Sequence, residues 1–487
     1  MSSPLLLGID EGTTAVKAGL FELDLTPVAI ARRGVPLSHP RPGWVEQDPR
    51  LILEAVVETV AEVLEAAGGR EILAAGLDHQ GESVLAWEAG GSVALSPVIV
   101  WQDKRQEELL EGISPVVEER SGLPRDPYFS AGKIAWLLQE GSGLDKARAA
   151  GKLRLGTVDA FLRESLGGRF ATDLSTASRT QLLAVGGRSW DEPLLDEFGI
   201  DPGLLPALGP TFGELGELRH ARWPVELPLR AQLVDQQAAL LGSGAVSPGQ
   251  AKATYGTGVF VLGRTAGPDR CEGLLPTVAW AGPGPGGAPG DVAYALDGGV
   301  FAAGALLEWL STDLGLAQDP ASLAAMAGLV PDSAGVRLLP ALAGLGSPWW
   351  KPDARAVIAG LHGGVQPAHL ARAALEAIAH RVADIVDSMA PSMAISSLKV
   401  DGGLTRDDTL LELQADLLGI ELAVGRPDAT VLGAAMLAGV GAGAFASVEQ
   451  AAGLLTEGRR VTPKISPRER LSKREDWMRF VSLAASL

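Results

Sequence analysis

The chain has 487 residues, 46% hydrophobic and 21% charged, which are the proportions of a folded globular protein with two or three domains. Its formal net charge of −18 disfavours non-specific binding to nucleic acid or anionic membranes, without forbidding local anion sites built from backbone N–H groups. The single cysteine, Cys271, excludes an intrachain disulfide, and no apolar stretch reaches the ~18–20 residues of a membrane span, so a cytoplasmic location is expected.

From Met1 the chain runs straight into a strand-like segment, with no basic and apolar leader. Leu5, Leu6, Leu7, Gly8 and Ile9 end in Asp10-Glu11-Gly12-Thr13-Thr14, which predicts a buried strand, a tight turn and a return strand over 15–23. The Pro- and Gly-rich stretch 39–49 is a loop, and Pro49 opens a helix over 50–67 whose Ile52, Val56, Val60 and Val63 recur at helical spacing. Strand-like 72–78, 84–87 and 98–101 follow, and strands then alternate with helices in an α/β pattern.

Residues 251–262 read as a second strand–turn–strand that echoes the first, with a boundary near 245 and linker chemistry in Gly244–Gly249. The run 281–290 is a hairpin tip. Gln366-Pro367 opens a long helix with Leu370, Ala374, Ile378, Val382, Ile385 and Met389 on its buried face. Residues 398–403 are a strand entering a glycine turn, and a helix from Thr409 to Leu418 is closed by Gly419. The segment 431–445, rich in Gly and Ala, reads as a tightly packed helix.

Several of these turns carry chemistry. Gly12 lets the backbone approach a ligand, Thr13 and Thr14 offer donors for phosphate oxygens, and Asp10 can hold magnesium; an ordinary acidic hairpin has the same composition. Gly256 and Thr257 repeat the pattern, and two such turns opening two α/β halves suggest a nucleotide held by both. Gly402 and Gly403 suit either a flat contact with adenine or a plain strand–helix turn. Asp235 suits either a helix N-cap or a general base for a hydroxyl. Trp101 and Tyr128 offer aromatic faces for the C–H side of a polyol, or mark a surface turn and a helix staple. The six histidines (His39, His79, His220, His362, His369 and His380) lack metal-ligand spacing, and there is no Walker-type lysine loop and no GxSxG elbow.

In this order the motifs resemble the FGGY carbohydrate kinases, from Leu5 to about Phe445. YFSAGKIAW (128–136) and the stretch from Ala359-Gly360-Leu361 to HLARAALE (369–376) are similar to that family's signatures. GWVEQDP (43–49), VWQDKR (100–105), YGTGVF (255–260), GLGSPWWKPDAR (344–355) and LQADLLGI (413–420) are similar to its glycerol kinases.

The resemblance implies two actin/hexokinase-like (ribonuclease H-like) ATPase domains facing across a cleft. Residues 1–245 would bind polyol and phosphates, 246–445 the nucleotide, and 446–487 would form a helical tail packed on the second domain. The implied reaction is ATP-dependent phosphorylation of a hydroxyl of a small polyol or sugar, glycerol to glycerol 3-phosphate, with a tetritol, pentitol or pentulose such as xylulose as alternative acceptors. An actin- or chaperone-like ATPase is the alternative of another class. The partners implied are ATP, Mg2+ and the small polyol, with a homodimer or homotetramer as the assembly, and neither nucleic acid nor membrane.

Residue by residue, the resemblance puts Asp10 near the magnesium and Thr13, Thr14 and Lys17 on the phosphates, joined by Gly256 and Thr257. It puts Gly304, Gly403 and Asp407 at the adenosine. Glu82, Trp101, Tyr128, Asp235 and Gln236 would surround the polyol, with Asp235 as the base and Phe260 as an apolar wall. Glycerol kinases usually read Asn-Gln-Arg-Glu-Thr where this chain reads His79-Gln80-Gly81-Glu82-Ser83. Losing that arginine removes a charged hydrogen bond worth ~1.5–3 kcal/mol and is expected to open space for a larger polyol. Asp407 replaces an asparagine, and Ala15 a serine.

Overall fold

The computed structural model describes residues 3–486 except 92, 142 and 457. The chain forms two compact units: Met1–Val246, Pro276–Ala295 and Asp428–Leu455 make the first, and Ser247–Leu275, Leu296–Pro427 and Thr456–Leu487 the second. The two units are interleaved in sequence, with 276–295 and 428–455 joining the first. The helix Ala429–Gly441 is apolar all round, so its sequence has no face that shows where it packs. It lies on the first-unit strands Leu5–Glu11 and Ile72–His79 and on the helix Asp235–Gly242. Small residues permit that approach: a methyl at Gly76 would overlap the carbonyl of Ala434, and one at Gly242 that of Ala429.

The main sheet of the first unit has six strands in the order Phe212–Leu218, Leu227–Val234, Ile72–His79, Leu5–Glu11, Ala15–Phe21 and Pro27–Gly34. Three adjacent strands, Leu227–Val234, Ile72–His79 and Leu5–Glu11, run parallel. Side chains alternate between the faces of a strand. Leu5, Leu7 and Ile9 therefore join a core with Ile52, Val56 and Val60 of the helix Pro49–Ala66, while Gly8 faces Val431 on the other side. Asp48 caps that helix by accepting from the Arg50 N–H, with Pro49 in the first turn. A smaller sheet pairs Glu46–Gln47, Val98–Ile99, Val84–Glu88 and Leu153–Thr157, and the helix Ser130–Glu140 packs against it.

The second unit repeats the opening arrangement. Ala251–Tyr255 and Val259–Thr265 form an antiparallel hairpin, and Ser397–Asp401 lies parallel beside the first arm, followed by Glu421–Val424 and Arg460–Val461. The helices Pro367–Met389 and Asp408–Leu418 pack on one another, and Gly419 ends the latter at φ 68°. The last helix, Pro467–Ala484, buries Trp477, Phe480 and Val481 in the same core. Its Arg474 reaches Asp384 at 2.7 Å, and Trp477 stacks on His380 at 4.7 Å. Burial, then the charge of Arg474, push the His380 imidazole down to about 3. Among the described residues no helix is long and apolar enough to cross a membrane.

Candidate active site

In open α/β sheets ligands bind beyond the carboxyl ends of parallel strands. At that end of the first unit the register sets Asp10 beside Asp78, and Asp78 beside Leu233, two residues before Asp235. Burial raises the Asp10 carboxyl, against the lowering effect of Lys17, whose ammonium lies 3.5 Å away. Burial also pushes Glu11 and Asp78 well above the usual carboxylate range, and the negative charge of Asp235 adds to both shifts. Among the described residues no group of three or more His, Cys, Asp or Glu side chains is disposed to hold a metal ion.

The turn after Asp10 is braced from below. Gln80 donates to Glu11 Oε1 and to Gln47 Oε1, both at 2.8 Å, and Gln47 donates to the Thr13 carbonyl at 2.8 Å. Thr13 Oγ1 accepts from the Trp101 indole at 2.9 Å, while Thr14 is exposed. Asp235 is not an N-cap: Val234 holds that position, and Asp235 is the first residue of Asp235–Gly242, with Oδ1 accepting the Gln236 N–H at 2.6 Å.

Next to this edge lies an aromatic and charged cluster. Trp101 packs edge-on against Tyr128 at 5.5 Å, and Tyr128 against Phe129 at 5.1 Å. Glu82, 4% exposed, accepts from Arg179 Nε at 2.7 Å. The fully buried Lys133 donates to the carbonyls of Pro127, Tyr128 and Phe129 at 2.6, 2.7 and 3.0 Å, which fixes the loop that presents Tyr128. Burial draws its ammonium down to about 7. A methyl built at Gly81 would stand 3.0 Å from Val234 Cγ1, so the space expected there is partly filled by that valine.

In the second unit, Gly256 and Thr257 are exposed, and their carbonyls accept the N–H groups of Gly304 (3.1 Å) and of Ala303 and Ala305 (3.0 Å each). Gly304 cannot gain a side chain without strain, because a Cβ there would lie 2.6 Å from Gly256 O. Gly402 adopts φ 98° against the Tyr255 backbone, and nothing lies within 4 Å of a Cβ at Gly403. Asp407 caps Asp408–Leu418 through the Leu410 N–H at 2.7 Å. Phe260 lies against Gly299.

The structure thus gathers Asp10, Thr13, Lys17, Glu82, Trp101, Tyr128, Asp235 and Gln236 in the first unit. Gly256, Thr257, Phe260, Gly304, Gly403 and Asp407 belong to the second. Sequence reasoning missed Glu11, Asp78, Lys133 and Arg179. Asp78 ends an apolar run just as Asp10 does, which is a signal that could have found it. Arg179 stands 97 positions from Glu82 and gives no local sign.

The chain is similar to known proteins over nearly its whole length. The profile for the FGGY family of carbohydrate kinases, N-terminal domain, matches residues 5–242, and that for its C-terminal domain matches 251–442. A glycerol kinase of Citrifermentans bemidjiense is 41% identical over 98% of each chain, and one of Thermus brockianus is 42% identical over 98% of each. The crystal structure of Plasmodium falciparum glycerol kinase with ADP superposes with a TM-score of 0.90 at 28% identity, covering 99% of this chain and 98% of that one.

Proposed function

This chain belongs to the FGGY family of carbohydrate kinases, and from that premise we propose that it transfers the γ-phosphoryl group of ATP to glycerol, giving glycerol 3-phosphate. One observation carries the reading: Asp235 opens a helix at the carboxyl edge of the parallel strands, beside a cluster of Glu82, Trp101 and Tyr128 suited to a small polyol. The aromatic faces take the C–H side of the acceptor, and Glu82, Asp235 and Gln236 take its hydroxyls. Asp235 accepts the hydroxyl proton as the oxygen bonds to phosphorus.

On this reading Thr13, Thr14 and Lys17 are the first unit's residues for phosphate oxygens, Gly256, Thr257, Gly304, Gly403 and Asp407 are the second unit's residues for the nucleotide, and Phe260 is the second unit's apolar residue for the acceptor. Magnesium would arrive with ATP: Asp10, beside Lys17 at the strand end, would hold it through one carboxylate, with the substrate phosphates supplying further oxygens, as magnesium commonly binds. Bound there, it neutralises phosphate charge. Small water-soluble substrates and a lone cysteine support a cytoplasmic enzyme.

Glycerol, the substrate in the names of relatives 41–42% identical to this chain, is preferred over a four- or five-carbon acceptor. An ATP-coupled screen of glycerol, erythritol, threitol, xylulose and ribulose tests this. Glycerol is expected to give the highest kcat/KM. Preference for a longer acceptor would overturn glycerol as substrate, and ATP turnover independent of every acceptor would overturn the kinase reading.

A further inference from the structure

The Arg179–Glu82 pair is buried on both sides, at 3% and 4% exposure. Desolvating two charges is costly, and apolar residues of similar volume often stabilise a fold as well or better, so packing alone gives little reason for the pair. Two further observations tie it to the acceptor cluster. The Arg179 guanidinium carbon lies 5.9 Å from the ring centroids of both Tyr128 and Phe129. The segment that carries it is held rigidly: Asp173 caps the short helix Leu174–Ala177 through the N–H groups of Ser175 and Thr176, and Thr176 Oγ1 sits 2.8 Å from His79 Nε2. Beyond it, Gln181 is held at φ 65° while its side chain donates to the Pro124 carbonyl at 2.5 Å. Position 81, next to Glu82, brings no side chain at all.

We infer that Arg179 is a positioning and specificity-determining residue for the acceptor, fixing the Glu82 carboxylate and supplying the guanidinium that the 80–82 loop lacks at position 81. This rests on the polyol-kinase reading above. A guanidinium offers donors only and an ionised carboxylate acceptors only, so the pair matches a vicinal diol, in which each hydroxyl both donates and accepts. The interaction belongs to the acceptor and not to ATP, so its loss separates the two Michaelis constants.

Steady-state kinetics on the full chain, with melting curves, test this in Arg179→Met, Arg179→Lys and Glu82→Gln. Arg179→Met is expected to raise the glycerol KM about tenfold or more, with the ATP KM within about twofold, as loss of a charge-assisted bond implies. Arg179→Lys keeps the charge without the planar fork and is expected to fall between that variant and the wild type. Adding Glu82→Gln to Arg179→Met should cost much less than the two changes separately. A folded Arg179→Met with an unchanged glycerol KM, or with both KM values raised alike, overturns the inference. Where Arg179→Met does not fold, a wild-type glycerol KM in Arg179→Lys overturns it. A wild-type enzyme inactive on every polyol instead defeats the underlying reading, and this inference with it.

Discussion

The two units share one frame, an antiparallel hairpin with a third strand parallel to its first arm, and use the turn in opposite ways. The first turn sits among buried carboxyl groups (Asp10, Glu11 and Asp78) with the Lys17 ammonium beside Asp10, so it offers titratable side chains. The second carries no charged side chain: Gly256-Thr257-Gly258 is held by backbone bonds to residues 303–305, so it offers close approach instead. One scaffold thus supplies reactive groups in one unit and a bare backbone surface in the other.

The largest expected effect falls on the charged turn. Asp10→Asn should lower kcat/KM by about 10²–10³, with activity becoming steeply dependent on magnesium concentration; a variant within twofold of the wild type would show that Asp10 serves the fold only. On the bare turn, Gly304→Ala forces a Cβ against the Gly256 carbonyl. It should raise the ATP KM about tenfold, with the glycerol KM nearly constant, because the strain of overpacking, about 1–3 kcal/mol, falls on that turn. Equal changes in both KM values would blur the division of labour. At the acceptor cluster, Gly81→Arg combined with Val234→Ala should shift the kcat/KM ratio of glycerol over erythritol about three- to tenfold, while Gly81→Arg alone meets Val234 and shifts it less.

The smallest effect on rate, and the one most visible in stability, belongs to Lys133. Its folded ammonium titrates at about 7 against 10.5 when free, so between these values the unfolded chain binds more protons and stability rises with pH. Unfolding midpoints measured from pH 7 to 9 should rise more in the wild type than in Lys133→Met. Equal slopes would place the titration elsewhere.

Much of the frame was legible because apolar runs ended in turn residues. Leu5–Glu11 and Ala251–Tyr255 formed where the patterns ended, and the helix Pro49–Ala66 began at its Asp48 cap with Pro49 in its first turn. Gly419 took the left-handed position that its place after Leu418 suggested. What stayed hidden was long-range. The helix Ala429–Gly441 has no polar face to assign, so its docking on the first unit follows from glycine–carbonyl contacts that no periodicity reveals. Asp235 and a true N-cap differ by one residue, a shift that local sequence does not resolve. Arg179 meets Glu82 only because the 173–181 segment folds back to His79.

Asp235→Asn gives the most direct test of the central claim, through calorimetric ATP affinity measured beside the rate of glycerol phosphate formation. A base that accepts the hydroxyl proton predicts ATP affinity within about twofold and a rate lowered by about 10²–10⁴. A variant that binds ATP and still phosphorylates glycerol at the wild-type rate would contradict it.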